Sequence, residues 1–164
     1  MENRVKQKKF VSLVLYLHNT QNEVVPFFQK VLPVFRDNFT NFEIVCVNDA
    51  CTDGTIGVLK EYLEENHCSE MVNIIHMSFF HGLESAMNAG RDLAIGDFIY
   101  EFDTAYVDYP SELIMEVYDK LLEGNDIVSA GTRDHVRMTS GFFYFCYNKT
   151  SRGRGKIGPE TFRI

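Results

Sequence analysis

Apolar positions along this chain come in short unbroken blocks, separated by stretches whose apolar residues recur at helical spacing. KFVSLVLYL (9–17), FEIVCV (42–47), VNIIHM (72–77), GDFIYEF (96–102) and DIVSAGT (126–132) are the blocks. Continuous β-branched and aliphatic runs of this length predict strands, and the first two read as strands buried on both faces. Between them, VVPFFQKVLPVF (24–35) predicts a helix, with Pro26 tolerable in its first turn and Pro33 predicting a kink or an early end. NDACTDGT predicts a turn, with Thr52 or Asp53 as N-cap of a helix reaching about residue 66. GLESAMNAGRDLA (82–94) predicts a helix rich in small residues, where Gly90 lowers helix stability and points to close packing. PSELIMEVYDKLLEG starts at Pro110 and carries apolar residues at 113, 114, 117, 118, 121 and 122, with Gly124 as its stop.

Strands alternating with helices across short loops imply an α/β fold with a mostly parallel sheet flanked by helices. Ligands of such sheets bind beyond the carboxyl ends of the strands. The informative segments are therefore HNTQNE, NDACTDGT, SFFHG, DTAYVDYP and RDHVR.

Composition narrows the picture. At 164 residues the chain has the size of one domain, 1–164, and its 45% hydrophobic and 24% charged content is that of a globular protein. No apolar run reaches bilayer length. The basic MENRVKQKK precedes a short apolar run without a cleavage pattern, so a buried strand is the better reading. Cys46, Cys51, Cys68 and Cys146 have neither CxxC nor zinc spacing, which implies a reducing, cytoplasmic setting. His76 and His81 lack a companion ligand cluster. Residues 1–132 carry nine Lys/Arg against twenty-one Asp/Glu, whereas 133–164 carry seven against two. An acidic body argues against nucleic-acid binding. The basic end suits a phosphate-bearing ligand, an anionic membrane surface, or solvent.

VSLVLYLHN, IVCVNDACTDGT, HGLESAMNAGRDLAIGDFI and FDTAYVDYP stand in an order and spacing that resembles the inverting family 2 glycosyltransferases of GT-A fold. The array Gly82, Ala86, Asn88, Gly90, Ala94, Gly96 and Asp97 is its most specific element. VSAGTRDHVRMTSGFFYFCYNKTSRGR resembles the branch of dolichyl-phosphate mannose synthase and the undecaprenyl-phosphate sugar transferases. GPETFRI resembles the start of a further family strand. The pattern thus implies a domain cut short, with membrane-anchoring helices beyond Ile164.

The resemblance also implies roles. Asp49 matches the position that reads the donor's base, with Asn48 beside it, and Tyr16, His18 and Asn19 match positions covering base and ribose. Asp53 reads as a helix cap. Gly82 reads as close approach to the donor or as a turn glycine, and Phe80 stands where the family often has asparagine. GT-A enzymes place a D-x-D after the fourth strand to hold Mg²⁺ or Mn²⁺. Here Asp103-Thr104-Ala105 keeps only the first acid, so help would have to come from Asp108 or Glu101. Glu101 and Asp103 project to one face of a strand, while Asp108 also reads as a charge favouring the following helix N-terminus. Arg133 and Arg137 would bind donor or acceptor phosphate, or else pair with an acid such as Asp134. GFFYFCYNKTSRGRGK suits an interfacial helix near lipid, or a cover for one sheet edge.

No general base stands out, which fits an acceptor phosphate that is already ionised and fits a domain cut short equally well. The expectation is a glycosyltransferase moving a hexose from a UDP- or GDP-sugar to a polyprenyl phosphate at the inner membrane face. The alternative is a catalytically degenerate domain that keeps the fold, with a nucleotide-binding or assembly role.

Overall fold

The computed structural model describes residues 5–131 and 162–164. Its elements are β1 (Gln7–Leu17), α1 (Val24–Asn38), β2 (Phe39–Asn48), α2 (Thr55–Glu65), β3 (Val72–His76), α3 (Leu83–Leu93), β4 (Phe98–Phe102), α4 (Glu112–Leu122), β5 (Ser129–Ala130) and β6 (Phe162–Arg163). A single 3₁₀ turn, Ser69–Met71, leads into β3. The strands form one sheet in the order β3-β2-β1-β4-β6-β5. The pairs β2–β3, β1–β2 and β1–β4 are parallel, and β6 runs antiparallel to both β4 and β5.

Alternation of side chains sorts the sheet into two faces. Val11, Leu13, Leu15 and Leu17 of β1, Ile44 and Cys46 of β2, and Tyr100 and Phe102 of β4 join the larger core, together with buried residues of α1, α2 and α4. Aromatic side chains dominate it: Phe35 meets Tyr100 at 5.2 Å, and Phe162 of β6 stacks on Phe102 at 4.9 Å. Val14, Val45 and Val47 point the other way, to Ala86 and Met87 of α3.

Gly90 is what lets α3 lie that close. A methyl group there would come within 2.4 Å of Val14 Cγ1 and 2.8 Å of Val47 Cγ2. Gly96 is equally constrained, since its Cβ would meet the Ser12 amide nitrogen at 2.5 Å. Its own N–H donates to Ser12 Oγ at 2.9 Å, and the Asp97 amide donates to the Phe10 carbonyl at 2.8 Å. The Ala94-x-Gly96-Asp97 part of the motif array thus clips the loop before β4 to β1.

Three local expectations differ from the structure. Helix α1 runs through Pro33 to Asn38. Pro33 is exposed, as is Gln29 one turn back, so the carbonyl left without a partner sits on the wet side while Phe35 is held in the core. The N-cap of α2 is Gly54, and the side chain serving the helix end is that of Asp53. The fifth strand is only Ser129–Ala130. Gly124 does end α4, in the left-handed region at φ 98°. No helix among the described residues is long and apolar enough to cross a membrane.

Candidate donor site

The end of β1 and the loops after β2 and β3 meet at one side chain. Asp49 follows β2 and has no exposed surface. Its Oδ1 accepts the His81 amide at 2.8 Å, and its Oδ2 accepts the Gly82 amide at 2.8 Å and the Tyr16 hydroxyl at 3.1 Å. Burial alone would raise the carboxyl pKa, but the two amides, the Tyr16 hydroxyl and the nearby His18 hold it below the ordinary value. The same contact works on Tyr16 in the opposite sense: desolvation, the hydrogen bond to Asp49 and the Asp49 charge push the phenol up to about 12. Gly82 sits at φ 84°, where a side chain is strained, and is the N-cap of α3.

The loops after β1 and β2 are tied to each other by further bonds. Asn19 Oδ1 accepts the Thr52 amide at 2.8 Å, Asp53 Oδ2 accepts the Gln21 amide at 3.1 Å, and Gln21 Oε1 accepts the Gly54 amide at 3.0 Å. Asp53 Oδ1 meanwhile accepts the Thr55 amide at 3.0 Å and its hydroxyl at 2.5 Å, which is the capping role expected of it. Asn48 Oδ1 accepts the Cys51 amide at 2.9 Å, and its Nδ2 donates to His76 Nδ1 at 2.9 Å. His18 donates from Nδ1 to the Asp49 carbonyl at 2.7 Å, so its proton is on that nitrogen. Phe80 packs on the His18 ring at 4.6 Å, and Phe79 stacks on His81 at 3.9 Å, both phenylalanines largely exposed.

Asp103 lies just past β4, on the α3 side of the sheet like Tyr16. Its Oδ2 is 3.9 Å from an Arg163 nitrogen. Glu101 accepts Arg163 at 2.6 Å and Arg91 of α3 at 2.8 Å, all through Oε2. Ala105 is 1% exposed and belongs to the larger core, so its side chain faces away from Asp103's surroundings. Asp108 is exposed on the loop before α4. Among the described residues no group of three His, Cys, Asp or Glu side chains gathers to hold a metal. The three acids Glu101, Asp103 and Asp108 therefore make no cage, and the chain's own contribution to a diphosphate-bound cation would be Asp103.

Tyr16, His18, Asn19, Asn48, Asp49 and Gly82 are thus brought together, with Asp103 on the same sheet face. Arg133, Arg137 and the aromatic-basic segment lie outside the described residues. Arg91 and Arg163 escaped sequence reasoning. Arg91 sits in the last turn of a helix, where a cation is unremarkable, and nothing local in FRI signals that Arg163 pairs across from Glu101.

With this geometry in view, comparison with known proteins gives the family. The model for glycosyl transferase family 2 matches residues 12–162. An uncharacterised glycosyltransferase of Synechocystis sp. is 34% identical over 157 residues, which is 92% of this chain and 48% of the relative. A prophage bactoprenol glucosyl transferase homolog of Escherichia coli K12 is 29% identical over 163 residues, 94% of this chain and 51% of the relative. Mannosyl-3-phosphoglycerate synthase from Rubrobacter xylanophilus superposes with a TM-score of 0.74 at 20% identity, over 95% of this chain and 53% of that one. Glucosyl-3-phosphoglycerate synthase from Mycobacterium tuberculosis, solved with Mn²⁺, UDP-glucose and phosphoglyceric acid, gives 0.69 at 13% identity, over 95% and 56%. The chain belongs to glycosyltransferase family 2 and has the GT-A fold. It spans about half the length of the curated relatives it matches.

Proposed function

We propose that this chain forms the donor-binding part of an inverting glycosyltransferase, which moves a hexose from a UDP- or GDP-sugar to a polyprenyl phosphate at the cytoplasmic face of a membrane. The observation that carries the reading is Asp49, whose buried carboxylate folds the 79–82 loop over the carboxyl ends of the parallel strands, on the sheet face that Asp103 shares. Similarity to bactoprenol glucosyl transferases over 94% of the chain supports the choice of acceptor class.

In this reading Tyr16, His18, Asn19 and Asn48 bound the base and ribose side of the donor, and Asp49 organises them. Gly82 opens α3 beside the donor, while Asp103, Arg133 and Arg137 serve the phosphates. An acceptor phosphate oxygen attacks the anomeric carbon as its bond to the diphosphate oxygen breaks, and the electron pair leaves with the nucleoside diphosphate. The acceptor phosphate is ionised near neutral pH, so no side chain has to take a proton; the residues orient the reactants instead. A divalent ion, Mg²⁺ or Mn²⁺, would be held by the donor diphosphate with Asp103, and would stabilise charge on the leaving group.

Calorimetric titration of UDP and GDP, with and without Mn²⁺, on the protein and on Asp103→Ala tests the reading. Binding of one nucleotide that Mn²⁺ strengthens, with that gain lost in the variant, supports it. Absence of binding to either nucleotide supports the second reading, a degenerate domain that keeps the fold. That reading draws on Ala105, whose side chain is committed to the core where the motif has its second acid.

A further inference from the structure

The acids beside the expected metal position already face two guanidinium groups. Arg163 lies on β6, in register with Glu101 on the antiparallel neighbour β4. Its Nε and one terminal nitrogen approach Glu101 Oε2 at 3.1 and 2.6 Å, while the other terminal nitrogen faces Asp103 Oδ2 at 3.9 Å. Arg91 reaches the same Glu101 oxygen at 2.8 Å from the last turn of α3. Among the described residues, these two carboxylates and two guanidiniums sum to zero formal charge. The Glu101 side chain is 13% exposed and that of Arg163 28%, so these charges are only partly screened by water.

Among the described residues the quartet offers no excess of carboxylate that would hold a divalent cation without the ligand's own oxygens. A diphosphate is recognised by guanidinium groups held in place, because their planar fork matches phosphate oxygens. Glu101 supplies the holding, since it fixes two arginines from two different elements through one oxygen. Ala105, turned into the core, adds no competing acid.

We infer that Arg163 is a diphosphate-contacting residue of the donor site, with Glu101 as the residue that positions it. Its guanidinium carries part of the positive charge that a second carboxylate would otherwise recruit as an ion. The ligand class is a nucleoside diphosphate, and the inference rests on the donor-site reading above. One consequence follows directly: the protein retains affinity for its nucleoside diphosphate when divalent ions are removed.

The test is calorimetric titration of UDP and GDP in EDTA with the wild-type protein, Arg163→Gln, Arg163→Lys and Glu101→Gln, each first checked for cooperative unfolding. Uridine and guanosine, followed by ligand-observed NMR, serve as phosphate-free controls. Arg163→Gln is expected to weaken the metal-free diphosphate affinity by about tenfold, and Arg163→Lys to recover part of the loss. Glu101→Gln should weaken it less, and nucleoside binding should stay unchanged throughout. Should Arg163→Gln fail to fold, Arg163→Lys and Glu101→Gln carry the same comparison. An unaltered diphosphate affinity, or an equal loss for nucleoside and diphosphate, overturns the assignment. Wild-type binding that needs Mn²⁺ and vanishes in EDTA also overturns it, while leaving the donor site standing. A wild type that binds neither nucleotide even with Mn²⁺ removes both.

Discussion

The two halves of the candidate donor edge are held by different physics. Around Asp49, the end of β1 and the loop before α3 are fixed by short hydrogen bonds to one carboxylate without exposed surface, and its donors are backbone amides and a phenol. Around Asp103, the turn after β4 is flanked by charge: Glu101, Arg91 and Arg163 arranged as part-exposed ion pairs. The first half is held by part-buried amides and a phenol that share one fully buried acceptor. The second is held by charge, with Glu101 bonding two guanidiniums from two elements through one oxygen. A shape-defining base subsite benefits from the former, and a phosphate subsite that must bind and release charge benefits from the latter.

The largest effect should come from breaking the first half. Asp49→Ala leaves two part-buried amides and the Tyr16 hydroxyl without their acceptor, and should destabilise the protein by roughly 2–4 kcal/mol. Chemical denaturation read against wild type measures it, and a loss below about 1 kcal/mol would mean the loops are held elsewhere. In the second half, Ala105→Asp sharpens the contrast. Restoring the acid of the D-x-D pattern should lower stability by roughly 2–4 kcal/mol, since the side chain enters the core, and should not raise Mn²⁺ affinity. A calorimetric gain in Mn²⁺ binding would show that residue 105 can turn toward Asp103.

Titration separates the halves next. The folded-state pKa values of Asp49 and Asp53 are depressed, so the stability they contribute is present above their ordinary value of 3.8 and is lost as pH falls below it. Tyr16 is raised from 10.0 to about 12, so its contribution is full below pH 10 and declines as pH rises toward 12. Unfolding free energies between pH 2 and 12 should therefore drop at both ends, and Asp49→Asn should flatten both drops. The smallest effect is local. Ala50 sits at φ 53°, a left-handed conformation that disfavours a side chain. Ala50→Gly should stabilise the protein by about 0.5–1 kcal/mol after the entropy of the unfolded glycine is counted, a shift visible in thermal melts.

Much of the fold was legible because its signals are local. The unbroken apolar runs became the parallel strands β1 to β4, and Gly124 ended α4 where a positive φ was needed. Pro33 does not end α1, because its ring faces solvent and the core contacts of Phe35 outweigh one lost backbone bond. Gly90 was legible as a packing residue, although its neighbours are the valine side chains of β1 and β2 rather than another backbone. For α2 the capping side chain was legible in Asp53, which bonds the Thr55 amide, although the N-cap position itself falls on Gly54.

Of the site, the strand order said which loops share an edge, and the family resemblance picked out Tyr16, His18, Asn19, Asn48, Asp49, Gly82 and Asp103 there. Parallel strands put every following loop at the same end, whatever the packing. Which way each side chain turns was decided only by tertiary structure. Asp49 points inward because two amides from a loop 32 and 33 residues away need its oxygens. Ala105 points into the core, and Arg163 meets Glu101 across 62 residues of chain because β6 inserts between β4 and β5. Contacts of that kind draw their energy from burial and charge brought together by the whole fold, and no pattern in the neighbouring residues encodes them.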